Sequence, residues 1–285
     1  MEMRRIHYLT FRQLVDDTMA LVARVPADVC AVAGVPRSGM GPASLIATTL
    51  HLPLFAATRQ GLIDLGHGRR LERADTSTGR YLIVDDSAFR GVSLAAAATA
   101  TGLPRQRLIT AVVYALPRSA ALAHGGIDMI QRIVAFPRFF EWNLLNHRMA
   151  SHMMCDIDGV ICRDPAAPDD DSDDYAAALH SAAPYHLPRR RKIHTLVTHR
   201  LERWRELTCA WLKQYDVQFA ELVMAPQTTA AQRRAEMRPY GRWKGSLYRR
   251  SPCRLFVESS RAQAIEIHRT SGKPVLCIEN GAVYQ

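Results

Sequence analysis

Lysine is scarce in this chain, and the four that occur all lie in its second half, at positions 192, 213, 244 and 273. Arginine therefore supplies most of the positive charge behind the formal net charge of +10. The arginines are spread over both halves, and the densest basic run covers only residues 189–192. A scattered basic surface suits phosphorylated or other anionic ligands, so we do not expect nucleic acid to be a partner.

Long apolar runs are also missing. No segment is long enough to span a bilayer, and charged residues interrupt the first positions before the apolar part of a signal peptide could develop. We therefore expect no membrane span and a cytoplasmic protein. The six cysteines form no CxxC pair, which disfavours a zinc or dithiol motif and predicts buried free thiols.

Two successive series of strand-like and helical segments divide the chain. In the first, the predicted strands are residues 29–35, 80–86, 107–116 and 132–136, and the predicted helices are 42–52 and 93–103. In the second, the predicted strands are residues 151–161, 193–200, 219–225, 253–259 and 274–281, with a helix over 201–215 and an Asp/Pro-rich loop at 164–175. Nearly continuous apolar strands suit parallel sheets that are covered on both faces. The sequence therefore predicts an α/β fold with two open, doubly wound, mainly parallel-sheet domains, at residues 1–150 and 151–285.

The segment LIVDDSAFRGVSL, at residues 82–94, ends a predicted strand with two adjacent carboxylates, Asp85 and Asp86. A short turn with Gly91 follows, and a helix begins near Ser93. Ligands of parallel sheets bind at the carboxyl ends of the strands, and the N–H groups of a helix N-terminus favour anions. Two acids beside such a phosphate-binding turn suit a sugar phosphate. The alternative is a plain Asp-Asp turn that closes a buried strand.

This segment resembles the phosphoribosyl-pyrophosphate signature of type I phosphoribosyltransferases, in which two acids follow a strand and precede a Thr/Ser–Gly-rich phosphate loop. The resemblance implies that Asp85 and Asp86 hold the ribose hydroxyls. It also implies that the 5-phosphate is surrounded by Ser87, Arg90, Gly91 and Ser93. Arg90 stands where the family usually has threonine, so it would either add a charged contact or crowd the loop.

A second loop, VAGVPRSGM at residues 32–40, lies upstream between a predicted strand and a predicted helix. It resembles the pyrophosphate loop of the same family, where glycines permit unusual backbone angles and an arginine pairs with the diphosphate. These places are taken here by Arg37, Ser38 and Gly39. Residues 60–79 would match the mobile hood that covers the reacting centre in this family. The positive charges that neutralise the departing pyrophosphate would come from Arg69, Arg70 and Arg73. The implied reaction is displacement of pyrophosphate at the anomeric carbon, assisted by magnesium.

The most specific motif is MMCDIDGVIC, at residues 153–162, which places Asp156 and Asp158 at a predicted strand end. It resembles motif I of the haloacid dehalogenase superfamily. The resemblance implies that Asp156 is a nucleophile and that Asp158 protonates the leaving alkoxide and then activates water. It also implies Mg²⁺, which lets an anionic carboxylate approach an anionic phosphate. A DxD turn without chemistry is the alternative.

The remaining motifs of that superfamily follow in order. Thr198, at the end of a predicted strand, matches the motif II hydroxyl that hydrogen-bonds the phosphoryl group. Lys244 is assigned as the motif III lysine by context and elimination, because the other lysines precede the Thr198 strand, lie in the following helix or come too late. Glu258 ends the predicted motif IV strand and would bind magnesium.

Motif IV departs from the family pattern, because Ser259 follows Glu258 and no aspartate lies within four residues. The metal ligands would then be Glu258, Asp156 and the backbone carbonyl of Asp158, with waters. Only some forty residues separate motifs I and II, so any cap is small and the open site suits a bulky phosphate ester. A basic run follows the predicted loop. It either orients that ester or is only a solvated surface, and it consists of Arg189, Arg190 and Arg191.

Together the two sites resemble the dual-domain ribofuranosyltransferases of bacterial polysaccharide synthesis. These enzymes transfer 5-phosphoribose to a glycan and then remove the 5-phosphate. The resemblance implies phosphoribosyl pyrophosphate and a glycan acceptor as partners and Mg²⁺ as cofactor. One alternative is a nucleobase phosphoribosyltransferase coupled to a 5′-nucleotidase. Another, of a different class, is a regulator that senses phosphoribosyl pyrophosphate and binds RNA or DNA. The oligomeric state and the acceptor's identity stay open.

Overall fold

A computed structural model describes residues 5–68, 76–117, 127–165 and 172–285. The chain forms two compact units. The N-terminal unit is Leu9–Arg138, and the C-terminal unit is Phe139–Gln285 together with the described residues up to Tyr8. The predicted boundary at residue 150 lies beyond the division seen here. The physical reason is that the segment after Arg138 adds apolar side chains to the core of the C-terminal unit, namely Phe139, Leu144, Leu145 and Ala150.

The N-terminal unit is built on a six-stranded sheet. After the short strand β1 (His7–Leu9), the described elements are α1 (Phe11–Val22), β2 (Val29–Gly34), α2 (Met40–Leu50), β3 (Leu54–Thr58), β4 (Gly61–Gly66), β5 (Arg80–Ala88), α3 (Val92–Ala100), β6 (Leu108–Ala115) and β7 (Met129–Ile133). The strand order is β4-β3-β2-β5-β6-β7. All neighbouring strands are parallel except β3 and β4. Every residue of β6 is buried, as expected for a strand covered on both faces.

The C-terminal unit contains a second six-stranded sheet. Its described elements are β8 (Arg138–Phe140), β9 (Met153–Asp156), α4 (Asp173–Ser181), β10 (Ile193–Leu201), α5 (Arg205–Gln214), β11 (Phe219–Ala225), α6 (Ala230–Met237), α7 (Tyr240–Arg250), β12 (Leu255–Glu258), α8 (Arg261–Ser271), β13 (Val275–Cys277) and β14 (Val283–Tyr284). The strand order is β11-β10-β9-β12-β13-β14, and only β13 and β14 are antiparallel. β1 and β8 pair separately, and each contains the point where the chain passes from one unit to the other, between Tyr8 and Leu9 and between Arg138 and Phe139. The predicted α/β class with two mainly parallel sheets is confirmed.

Several local predictions differ from the structure. Residues 61–66, interpreted as part of a hood, form β4 and pair with β3. The predicted hood arginines Arg69, Arg70 and Arg73 lie outside the described residues. The predicted loop at 164–175 contains the start of α4, because the Ser172 hydroxyl accepts a hydrogen bond from the Tyr175 N–H and caps that helix.

Two composition-based predictions concern helices and thiols. No helix in the described ranges combines the length and the apolar character that a bilayer-spanning segment needs. All six cysteines are free thiols; Cys30 and Cys209 are half-buried, and the other four are buried.

Candidate active sites

In the N-terminal unit, the loop after β2 packs directly against the end of β5. The Val35 N–H donates a 2.8 Å hydrogen bond to the Val84 carbonyl. A Cβ atom added to Gly39 would lie 2.7 Å from that carbonyl oxygen and 2.9 Å from the Cα of Asp85, so only glycine fits there. The structure therefore brings Gly39, with the exposed residues Arg37 and Ser38, to the predicted ribose-binding acids. The Pro36–Arg37 peptide is cis.

A pocket of about 250 Å³ lies at the end of β5 and the start of α3. Its lining contains the predicted residues Asp85, Ser87, Arg90, Gly91 and Ser93, along with Ala88, Phe89, Val92 and Leu94. Gly91 adopts a φ of 71°, which other L-residues rarely adopt, and this turn directs the chain into α3. The N-terminal N–H groups of such a helix favour an anion. The pocket therefore has the chemistry of a phosphate site.

Two arginines accompany this pocket in different ways. The exposed Arg90 places its guanidinium 5.7 Å from the centroid of the Phe89 ring. Arg138, which the sequence analysis missed, is buried and donates to the carbonyls of Ala88 and Val134, each at 3.3 Å. Burial lowers the pKa of Arg138, and the negative charge of Asp86 opposes that shift. Arg138 therefore supplies positive charge close enough to Asp86 to interact with it.

The adjacent acids Asp85 and Asp86 influence each other. Asp86 is buried, and its N–H donates a 2.8 Å hydrogen bond to the Asp85 carboxylate. Burial, together with the neighbouring charge of Asp86, raises the pKa of Asp85 to about 8. A neutral Asp85 beside an Asp86 anion can donate one hydrogen bond and accept others, which suits a pair of vicinal hydroxyls.

In the C-terminal unit, three neighbouring strands carry three of the predicted motifs. β9 lies between β10 and β12, and all three are parallel. Asp156 at the end of β9 is level with Val197, and Cys155 is level with Val257. Thr198 and Glu258 therefore lie at the same carboxyl end of the sheet as Asp156, where ligands of open α/β sheets bind.

Lys244 joins two of these acids. Its Nζ donates to Asp156 Oδ2 at 2.7 Å and to Glu258 Oε2 at 2.8 Å. The Lys244 side chain is only 1% exposed. Burial alone would lower the pKa of Lys244, but the negative charges of Asp156 and Glu258 raise it to about 12. The structure thus places the lysine that was assigned by context and elimination between the predicted nucleophile and the predicted metal ligand.

Close packing of α7 on α8 brings Lys244 into the site. Gly241 and Gly245, one helical turn apart, face α8. A Cβ on Gly241 would lie 2.7 Å from the Glu266 Cβ, and a Cβ on Gly245 would lie 2.6 Å from the Thr270 Cβ. Without side chains at these positions the helices can approach closely. Lys244, on the same helix, contacts the acids that end β9 and β12.

Asp158 has a partner that the sequence analysis missed, the fully buried Arg200. The guanidinium contacts both Asp158 carboxylate oxygens, and the Thr198 hydroxyl donates to Asp158 Oδ2 at 3.2 Å. Burial would raise the pKa of Asp158, but the charge and hydrogen bonds of Arg200 outweigh it and lower that pKa. The sequence signal was an arginine two positions after Thr198, on the same strand.

The predicted magnesium ligands can be compared with these contacts. Within the described ranges, no three His, Cys, Asp or Glu side chains form a metal-binding group. Asp156 and Glu258 nevertheless converge on one ammonium, and the Asp158 carbonyl lies beside them because it accepts the Ser259 hydroxyl at 3.0 Å. Two carboxylates and a carbonyl are the oxygen donors that a hard cation prefers. This donor set fits Mg²⁺ in its chemistry.

Comparison with solved structures gives partial similarities. A purine phosphoribosyltransferase from Pyrococcus horikoshii Ot3 is 19% identical, with a TM-score of 0.36, over 48% of this chain and 93% of that chain. The Helicobacter pylori xanthine-guanine-hypoxanthine phosphoribosyltransferase is 16% identical, with a TM-score of 0.35, over 49% of this chain and 93% of that chain. The adenine phosphoribosyltransferase from Giardia lamblia is 13% identical, with a TM-score of 0.29, over 42% of this chain and 76% of that chain. No protein-family model and no curated protein matches the chain.

Proposed function

We propose that this chain transfers ribofuranose in two steps. The N-terminal unit would move 5-phosphoribose from phosphoribosyl pyrophosphate to a glycan acceptor. The C-terminal unit would then remove the 5-phosphate through an aspartyl-phosphate. The observation that best supports the proposal is the buried arrangement in which Lys244 hydrogen-bonds both Asp156 and Glu258, in a unit separate from the Asp85–Ser93 pocket.

In the first step, an acceptor hydroxyl oxygen bonds to the anomeric carbon as the bond to pyrophosphate breaks. The pyrophosphate leaves with the bonding electrons, and the hydroxyl proton passes to solvent. Asp85 and Asp86 orient the ribose hydroxyls, and the N-terminal turn of α3 binds the 5-phosphate. The loop residues Arg37 and Ser38 are exposed beside this pocket, where they can bind the diphosphate.

In the second step, an Asp156 oxygen bonds to phosphorus as the ester oxygen leaves with the electron pair and takes a proton from Asp158. Because Arg200 favours the Asp158 anion, Asp158 first accepts this proton from the bound phosphate monoester. Water activated by Asp158 then hydrolyses the aspartyl-phosphate and releases orthophosphate. Lys244 keeps the nucleophile in place and balances its charge, and Thr198 donates to the phosphoryl group. When bound, magnesium would reduce repulsion between carboxylate and phosphate, held by Asp156, Glu258 and the Asp158 carbonyl.

The test incubates the whole chain with magnesium, phosphoribosyl pyrophosphate and a panel of acceptors, and product masses are measured. Wild type should add an unphosphorylated pentose to a saccharide and release pyrophosphate and orthophosphate. Asp156→Asn should accumulate the phosphorylated product, and Asp86→Asn should form neither product. Arg242→Gln, which changes an exposed arginine that pairs with Glu266, is the matched control.

Other outcomes separate the alternatives. Turnover of a free nucleobase with no reaction of any saccharide would favour the coupled nucleotidase. A salt-sensitive shift of RNA or DNA without any turnover would favour the regulator. Release of orthophosphate by Asp156→Asn at the wild-type rate would refute the aspartyl-phosphate step.

A further inference from the structure

Arg200 is among the largest side chains that are completely buried in the described part of the chain. It lies in β10, two residues after Thr198, and its side chain has no exposed surface. A buried guanidinium requires hydrogen-bonding partners, and its main partner here is the Asp158 carboxylate of the candidate phosphatase site. We propose that Arg200 is a positioning residue that orients the Asp158 carboxylate and the Thr198 hydroxyl, a role that rests on the proposed aspartyl-phosphate step.

The hydrogen bonds of Arg200 make the two oxygens of Asp158 different. Oδ1 accepts from Nη2 at 2.5 Å, from Nε at 3.1 Å and from the Cys162 thiol at 3.5 Å. From the described residues, Oδ2 accepts hydrogen bonds from Nε, at 3.1 Å, and from the Thr198 hydroxyl, at 3.2 Å. Oδ1 is therefore the anchored oxygen. Oδ2 loses one of its two hydrogen bonds when the Thr198 hydroxyl turns to a phosphoryl group, and it keeps the 3.1 Å contact with Nε.

The main chain of Arg200 acts on the same hydroxyl. Its N–H donates to the Thr198 Oγ1 at 3.1 Å, while that hydroxyl donates its own hydrogen to Asp158 Oδ2. The backbone hydrogen bond fixes the position of the hydroxyl oxygen, while the hydroxyl hydrogen can turn from Asp158 to a bound phosphate. One residue therefore fixes the predicted proton-transfer group through its side chain and the phosphoryl-binding hydroxyl through its backbone.

Arg200 is itself held by the core. Its Nη1 contacts the Thr208 hydroxyl at 3.3 Å, and its Nη2 contacts the Cys162 sulfur at 3.2 Å. With every side-chain atom buried, the guanidinium cannot bind the substrate directly. A lysine at this position would keep the positive charge but lose the planar, several-point contact with the carboxylate.

The experiment compares two phosphate esters that differ in their need for a proton. Ribose 5-phosphate has an alkoxide leaving group, which requires a proton from Asp158, whereas p-nitrophenyl phosphate has a phenolate that leaves without one. The kcat/KM for each ester is measured with wild type, Arg200→Lys, Asp158→Asn and the double variant. Arg242→Gln is the arginine control, and tryptophan fluorescence of thermal unfolding monitors folding.

We expect Arg200→Lys to lower kcat/KM about 100-fold for ribose 5-phosphate and less than about 5-fold for p-nitrophenyl phosphate, since positioned acid catalysis contributes about 10²–10⁴-fold. In the Asp158→Asn background, the same change should reduce the alkyl-ester rate by no more than about 3-fold, because coupled residues are not additive. Equal losses on both esters, or additive losses in the double variant, refute the positioning role and leave the phosphatase step standing. If wild type hydrolyses neither ester, both proposals fail.

If Arg200→Lys does not fold, Thr208→Val removes one support of the guanidinium without changing the charge at the site. It should produce the same preference in a weaker form, with a loss of about 5-fold confined to the alkyl ester. An unchanged ratio of the two esters in a folded Thr208→Val protein contradicts the proposal.

Discussion

Replacing Lys244 by methionine is the most direct probe of the C-terminal site. The ammonium donates to Asp156 at 2.7 Å and to Glu258 at 2.8 Å, and all three side chains are nearly inaccessible to solvent. Methionine fills a similar volume but lacks the positive charge that Lys244 places between the two carboxylates. The buried acids Asp156 and Glu258 would then lie close together without a neutralising ammonium.

The expected magnitude follows from this burial. Removing one partner of a buried ion pair destabilises a protein by about 3–5 kcal/mol, because the remaining charge stays desolvated. We expect the free energy of unfolding of the C-terminal unit to fall by that amount in Lys244→Met. Adding Glu258→Gln to this variant removes one of the two charges, so it should restore at least about 1 kcal/mol.

The assay can isolate the relevant unit, because all four tryptophans, at positions 142, 204, 211 and 243, belong to the C-terminal unit. Urea unfolding is followed by tryptophan fluorescence in the presence of EDTA, so that no divalent cation substitutes for the ammonium. Lys213→Met, which changes an exposed lysine, should stay within about 0.5 kcal/mol of wild type. A comparably small effect of Lys244→Met, or no recovery on adding Glu258→Gln, would refute the reasoning.

Two further predictions concern stability. Asp85→Asn should remove a pH dependence of the stability of the N-terminal unit. Folded Asp85, with a pKa of about 8, keeps a proton that the unfolded chain releases near pH 4. The stability of wild type therefore falls as the pH rises between these two values. The variant should gain on the order of 5 kcal/mol relative to wild type between pH 4 and pH 9, measured by circular dichroism melting, and parallel pH profiles would contradict this. Gly245→Val should destabilise the C-terminal unit by about 2 kcal/mol in the fluorescence assay, because its Cβ would meet the Thr270 Cβ at 2.6 Å. Gly41→Ala, a helical position of the N-terminal unit with no atom near the added Cβ, should be neutral or slightly stabilising when unfolding is followed by circular dichroism. Equal effects of the two changes would count against the packing argument.

The central strands could be predicted because their residues are apolar almost without interruption. Residues 29–35 and 107–116 contain β2 and β6, and the segment 219–225 coincides with β11. Edge elements were harder to predict. β4 is mostly exposed and pairs on one side only, so residues 61–66 show no apolar run and were interpreted as a loop.

Some residues of the candidate sites could likewise be found from the sequence, and others could not. Asp85, Asp156 and Glu258 could be found because each is an acid that directly follows a buried apolar segment. Arg138 and Arg200 were missed, because an arginine in sequence is normally a surface residue and only burial beside a carboxylate changes its role. Residues 139–150 were placed with the N-terminal domain, whereas their buried apolar side chains belong to the core of the C-terminal unit. These apolar residues lack a clear period, so the sequence does not show which core they join.

The amino-acid sequence alone determined the two-sheet α/β class and the strand ends at which acids gather, since both follow from local apolar patterning. Only the tertiary structure decided which charges meet. Lys244 reaches Asp156 and Glu258 because two glycines let α7 approach α8, and Arg200 reaches Asp158 because β10 lies beside β9. Such pairings depend on distances across the fold, which the order of residues along a chain does not encode locally.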